Sequence, residues 1–274
     1  MSLLELELMR RALMAAALVG AAAPAIGVFL VQRRLSLMGD GIGHVAFIGV
    51  AAALLTSTAP IVWTIAAATL GAVALELLRE RGRVAGDVAL ALIFYGGIAG
   101  GLLLTDLGNA SNTNLLSALF GSVLTVSAAD LVSVAIISVA VVVVTVALRK
   151  ELFVVCYDEE VARASGLPVR TLNLTIAITA AVTVAVTLQV VGILLVAAML
   201  VLPVAAVQQV THSFRATVLA SQALGVAVSV GGLVLAYYAD VRPAATIVAC
   251  GIVAFLVATR LGPLRMRNWG HGQP

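Results

Sequence analysis

A chain of 274 residues, 62% hydrophobic and only 11% charged, with a mean hydropathy of +1.14, is excluded from the water-soluble globular class, where about a quarter of residues are charged. Its formal charge of +3 is read as a record of membrane topology, because basic residues collect on the cytoplasmic side of membrane proteins, and no nucleic-acid partner is expected. The two cysteines, Cys156 and Cys250, match no paired metal-ligand spacing and read as small apolar residues.

A membrane-crossing helix needs roughly 20 largely apolar residues. Nine runs approach that length, at about 12–31, 42–58, 61–78, 86–105, 128–148, 171–188, 191–208, 216–237 and 244–261. The weakest separation falls at Gln189 to Gly192, and a different reading of it leaves eight. Arg10-Arg11 followed by ALMAAALVGAAAPA imitates a signal peptide, but the run continues past Pro24 through IGVFLV to Arg33-Arg34 and reads as a first span. With Arg33-Arg34 on the cytoplasmic side, thirteen of the sixteen basic residues lie inside and only Arg10, Arg11 and Arg242 outside. That asymmetry predicts an outside N-terminus and a cytoplasmic C-terminus. The expected architecture is all-α: a single polytopic membrane bundle over residues 1–274, with abundant Ala, Gly and Ser for close helix contact.

The most unusual polar feature follows the first span, in RRLSLMGDGIGHVAF. Asp40 and His44 stand four apart, so on a helix they share one face. Ionisable groups inside spans are costly and usually mark an ion path, and imidazole with carboxylate suits zinc, manganese or iron. The competing reading makes Asp40 a helix cap and gives His44 an interhelical hydrogen bond. A continuous helix from Arg34 would put His44 about 15 Å deep at 1.5 Å per residue; a turn near Gly39 would make it shallower. Glu76 is expected to pair with the nearby arginines, Asp87 to open the fourth span, and residues 106–127 to form a short or re-entrant helix.

The longest polar insertion, about 149–170, contains YDEEVARASGLP, which reads as a short cytoplasmic helix. Asp158 is its N-cap, Glu159 and Glu160 fill the first turn, Arg163 lies further on, and Gly166 with Pro168 stops it. On composition alone this is an ordinary solvated connector. No HExxH, GxSxG or GxxxxGK[ST] motif is present, so no enzymatic activity is expected and any ATP hydrolysis belongs to another polypeptide.

The run LVGAAAPAIGVFLVQRRLSLMGDGIGHVAFIGVA, the segment YDEEVARASGLPVRTLN with LQVVGILLVAAMLVLPVAAV after it, and the closing YYADVRPAATIV together resemble the zinc/manganese/iron ABC permease family, the ZnuB-like metal permeases. The chain departs from that pattern at Ile42-Gly43 and at Ala244-Ala245. The resemblance implies a multi-pass protein of the bacterial cell membrane that carries Zn²⁺ or Mn²⁺, with Fe²⁺ as a further option, and binds no permanent cofactor. It implies a homodimer that binds cytoplasmic ABC ATPase subunits, receives metal from an extracellular solute-binding protein and sits in lipid. It also implies metal contact by Asp40 and His44, and ATPase coupling through Asp158, Glu159, Glu160, Ala162, Arg163, Ala164, Gly166 and Leu167. The rival readings are an ion-coupled secondary transporter and an ABC permease for a metal chelate.

Overall fold

The computed structural model describes residues 7–56, 58–82, 85–108 and 127–269. Those residues form helices and no strand: α1 (Glu7–Gln32), α2 (Met38–Thr56), α3 (Pro60–Glu80), α4 (Gly86–Leu107), α5 (Ala128–Ala147), α6 (Arg149–Tyr157), α7 (Glu159–Ala164), α8 (Val169–Val191), α9 (Ile193–Gln208), α10 (Phe214–Ala239) and α11 (Pro243–Trp269). Helices are the form in which an open chain satisfies its own backbone groups in hydrocarbon. The re-entrant helix expected over 106–127 falls almost wholly outside the described residues.

Among the described residues eight helices are long and apolar enough to cross a membrane, which is the lower of the two expected counts. The difference is α9. Its 16 residues span about 24 Å at 1.5 Å per residue, short of a hydrocarbon core about 30 Å thick. Val196, Leu200, Val204 and Ala206 of α9 are fully buried, because α1, α2, α10 and α11 surround it. A short helix is tolerated at membrane depth where protein encloses it.

Burial sorts the spans into two layers. The apolar windows of α1, α8 and α2 are 72%, 67% and 56% buried, whereas those of α4, α5 and α11 are 22% buried. Several buried hydroxyls are satisfied inside the bundle. Thr183 and Thr187 of α8 each donate to the carbonyl four residues earlier at 2.7 Å. Ser229 of α10 donates across to the Ala16 carbonyl of α1 at 2.9 Å, a contact worth about 0.6 kcal/mol between membrane helices. Pro24 lies within α1 without ending it, as a first span running to Gln32 requires.

The α1–α2 turn positions everything that follows. Arg34, at φ 58, takes the left-handed place of a helix stop: its N–H donates to the Val31 carbonyl at 3.1 Å, and the Leu35 N–H reaches back to Leu30 at 2.8 Å. The chain reverses and α2 starts at Met38.

Candidate metal site and coupling helix

Asp40 lies in the first turn of α2 and His44 one turn on. The Asp40 Oδ1 and His44 Nε2 atoms are 4.0 Å apart, too far for a hydrogen bond. They are within a small side-chain rotation of the roughly 3–3.5 Å that separates two ligand atoms each about 2.1 Å from one ion. Since α2 begins at Met38, His44 is only six residues along it, about 9 Å. The pair is thus nearer the α1–α2 turn than a helix running on from Arg34 would put it.

Helix α4 fixes the pair from the side. A Cβ on Gly97 would lie 2.6–3.0 Å from the Val45 nitrogen and the His44 carbonyl group, so only glycine lets the two backbones cross there. That close crossing sets the Phe94 ring edge-on to the His44 imidazole, with centroids 4.5 Å apart. Below it a cavity of about 660 Å³ opens between the α1–α2 turn and α4, lined by Arg34, Asp40, Arg79, Asp87, Phe94 and Tyr95. Asp87 sits in the first turn of α4, as its place in the sequence suggests. Among the described residues no group of three His, Cys, Asp or Glu side chains converges.

The second feature is α7. The Asp158 carboxylate accepts from the Glu160 and Val161 N–H groups at 2.9 and 3.0 Å, the expected N-cap. At the other end Gly166, at φ 78, lets its N–H bond the Arg163 carbonyl and the Leu167 N–H bond that of Ala162, both at 3.1 Å. This is a Schellman stop. The resulting helix has two faces. Asp158, Glu160, Arg163, Ala164 and Gly166 are exposed. Ala162 is fully buried and Leu167 packs on the main core, while Glu159 turns inward to accept from Arg33 at 2.7 Å and from Asn173 at 3.1 Å. The resemblance assigns these eight residues to one coupling segment; the structure divides them into an outward set and a set that holds α7 to the membrane helices.

A profile of the ABC 3 transport family matches residues 5–262. The chain belongs to the ABC 3 transport family. Among ABC 3 relatives, the manganese transport system membrane protein MntC of Listeria innocua is 30% identical over 264 residues, covering 95% of this chain and 93% of that one. A probable iron transport system membrane protein of Haemophilus influenzae is 31% identical over 265 residues, covering 96% and 97%. The structure of PsaBC from Streptococcus pneumoniae in complex with Fab superimposes with a TM-score of 0.86 at 27% identity, covering 96% of this chain and 97% of that one. This ABC 3 protein is accordingly a membrane-spanning permease subunit and not itself an enzyme. The conclusion agrees with the missing phosphate-loop motif.

Four residues around these features have no functional role assigned to them individually in the sequence of this ABC 3 permease. Phe94 and Asn173 look like ordinary span residues, and Tyr157, 77% exposed beside the α7 cap, looks like the end of an apolar stretch. Arg33 counts in the sequence only as topological charge, yet its side chain is 6% exposed and lies between Glu159 at 2.7 Å and Glu76 at 3.9 Å. Glu76 also holds Arg79 at 3.1 Å, which realises the pairing expected of it.

Proposed function

We propose that this permease imports a divalent transition metal, Mn²⁺ foremost, working as a homodimer with two cytoplasmic ATPase subunits and an extracellular metal-binding protein. The observation that carries the reading is the Asp40–His44 pair: an imidazole and a carboxylate 4.0 Å apart on a span, beside a cavity bounded by the α1–α2 turn and α4. A nitrogen and oxygen donor set without thiolate suits Mn²⁺, Fe²⁺ and Zn²⁺. The manganese and iron relatives favour the first two cargoes, and zinc remains the competitor to test.

A transported ion must be released, so few protein ligands serve better than the closed four-ligand shell of structural zinc. His44 binds through a ring nitrogen as the neutral imidazole, and ionised Asp40 offsets part of the ion's charge. The outward face of α7 docks in the ATPase, and its movement during the nucleotide cycle alternates access to the pair. The test is uptake into proteoliposomes containing the complex assembled with its ATPase and binding protein. ATP-dependent Mn²⁺ entry is expected, and Zn²⁺ entry measured in parallel ranks the two cargoes. ATP-independent uptake that follows a proton or sodium gradient would establish the secondary-transporter alternative.

A further inference from the structure

Arg33 occupies a position that neither metal contact nor ATPase docking accounts for. It follows the last residue of α1 and opens the turn that leads through Leu37 to Asp40. With its side chain 6% exposed, the guanidinium needs a carboxylate partner, since an unpaired charge in the interior costs several kcal/mol. Two carboxylates are in reach. Glu159 on α7 holds it now, at 2.7 Å, and Glu76 on α3 stands by at 3.9 Å.

The surroundings make this a two-position contact. Glu159 belongs to a six-residue helix whose outer face is free, and its own side chain is 42% exposed. Glu76 sits near the C-terminal end of the long helix α3, 8% exposed, and is steadied by Arg79. A cavity of about 210 Å³ separates α7 from the ends of α3 and α8 and is lined by Arg33, Glu76, Glu159, Arg170 and Asn173, so side chains have room to exchange. The turn after Arg33 is stiff. Arg33, Leu35, Met38 and Gly41 each donate a backbone hydrogen bond within it or to its flanks, at 2.8–3.1 Å. Displacement of Arg33 is therefore carried into the first turn of α2.

We propose that Arg33 is a positioning residue that trades Glu159 for Glu76 when α7 is pulled by the ATPase, and that this exchange passes the ATPase cycle to the Asp40-bearing end of α2. The proposal rests on the reading that α7 docks the ATPase. It supplies what a coupling mechanism requires, a discrete two-state element that both sites bias.

The test uses the complete complex in proteoliposomes, with Cys156→Ala and Cys250→Ala in the permease and spin labels on Leu37→Cys, in the turn, and Leu219→Cys, on α10; both positions are more than half exposed. Without variants, the label distance changes on ATP binding. Glu159→Gln leaves Arg33 with Glu76, and Glu76→Gln leaves it with Glu159. Each keeps a carbonyl acceptor and so spares the fold as removing Arg33 would not. The expected result is a distance that no longer responds to nucleotide, fixed near one end of the normal range in Glu159→Gln and near the other in Glu76→Gln. The ATPase stays bound and hydrolytic, and Mn²⁺ moved per ATP falls by roughly tenfold, within the usual range of a coupling free energy. A nucleotide response and transport ratio unchanged in Glu159→Gln overturns the proposal. So does the same fixed distance in both variants, which marks general damage, and so does loss of the ATPase from Glu159→Gln, which makes Glu159 a docking residue. The distance is read without metal, so a parent complex that takes up no Mn²⁺ overturns the cargo reading while the labels still decide the linkage.

Discussion

Asp40 occupies the first turn of α2, where a carboxylate ordinarily caps the helix or complements its dipole. Among the described residues, however, no hydrogen bond joins its side chain to the backbone, and its recorded partner is His44. A substitution that keeps the cap and removes the charge separates the two readings left open by the sequence. Asn caps helices about as well as Asp but brings no charge to an ion. Asp40→Asn should therefore leave expression and ATPase binding intact while uptake falls at least about tenfold, the effect of 1.4 kcal/mol on an affinity. His44→Ala should do the same. Uptake at the parent rate in Asp40→Asn would remove the carboxylate from the metal path. A second residue-level prediction concerns Cys156 on α6. Burial, opposed by Arg33 and reinforced by Glu159, pushes its thiol up to about 12. At pH 8 only about one thiol in ten thousand is then the reactive thiolate. A maleimide should label a cysteine introduced at exposed Glu160 far faster than Cys156, and equal rates would contradict the buried environment. The sign for stability follows. With the folded-state value above the unfolded value of 9.0, the native form holds its proton longer, so stability declines as pH rises from the unfolded value toward the folded one.

At the scale of elements, two helix contacts lend themselves to single substitutions. Where α4 crosses α2, Gly97→Ala would place a methyl carbon within 3.0 Å of backbone atoms, which cannot move aside as a flexible side chain would. Overpacking of this kind costs about 1–3 kcal/mol, and it should separate Phe94 from His44. The measurement is thermal unfolding in detergent together with uptake, and both should fall. On α7, Ala164→Trp adds bulk to the outward face, and Gly166→Pro forbids the positive φ that closes the helix. Both variants should insert normally yet fail to retain the ATPase on co-purification. Retained ATPase and normal ATP-driven uptake in both would exclude α7 as the docking element. The span helices and both caps of α7 were legible in the sequence because they rest on local signals: apolar runs of membrane length, an Asp before two glutamates, a Gly where the chain must turn. What was not legible depends on neighbours. The nine-residue α6 is too short and too charged at its start to show as a helix apart from the insertion. The turn at Arg34 uses a residue that rarely adopts positive φ, so a continuous helix with a deep His44 and a turn with a shallower one were both consistent with the sequence. The inward turn of Glu159 is dictated by Arg33, 126 positions away, and no local pattern encodes it.

For the whole molecule, the fold gathers basic residues from distant parts of the chain. Arg33, Arg79, Arg163 and Arg170 line a single cavity with Glu76, Glu80 and Glu159, so residues far apart in sequence meet at one end of the bundle. Arg10 and Arg11 begin α1, whose other end leads into this cluster. Asp240 and Arg242 follow the far end of α10, whose first residue, Phe214, packs on Phe29 and Phe153 near the same cluster. Each of these helices has 26 residues, about 39 Å of rise, enough to separate its two ends by the thickness of a hydrocarbon core. By the positive-inside bias, the excess of basic residues at the clustered end predicts that this end, with α7, faces the cytoplasm. The orientation is tested by three exposed positions. Glu80→Cys and Glu160→Cys should react with an impermeant thiol reagent only when the cytoplasmic face is opened, and Asp240→Cys should react in intact cells. Labelling of Glu160→Cys from outside would put α7 on the wrong side of the membrane for any ATPase. It would overturn the docking role and the Arg33 linkage together, whereas the Asp40–His44 pair, which depends only on the packing of α2 and α4, would stand.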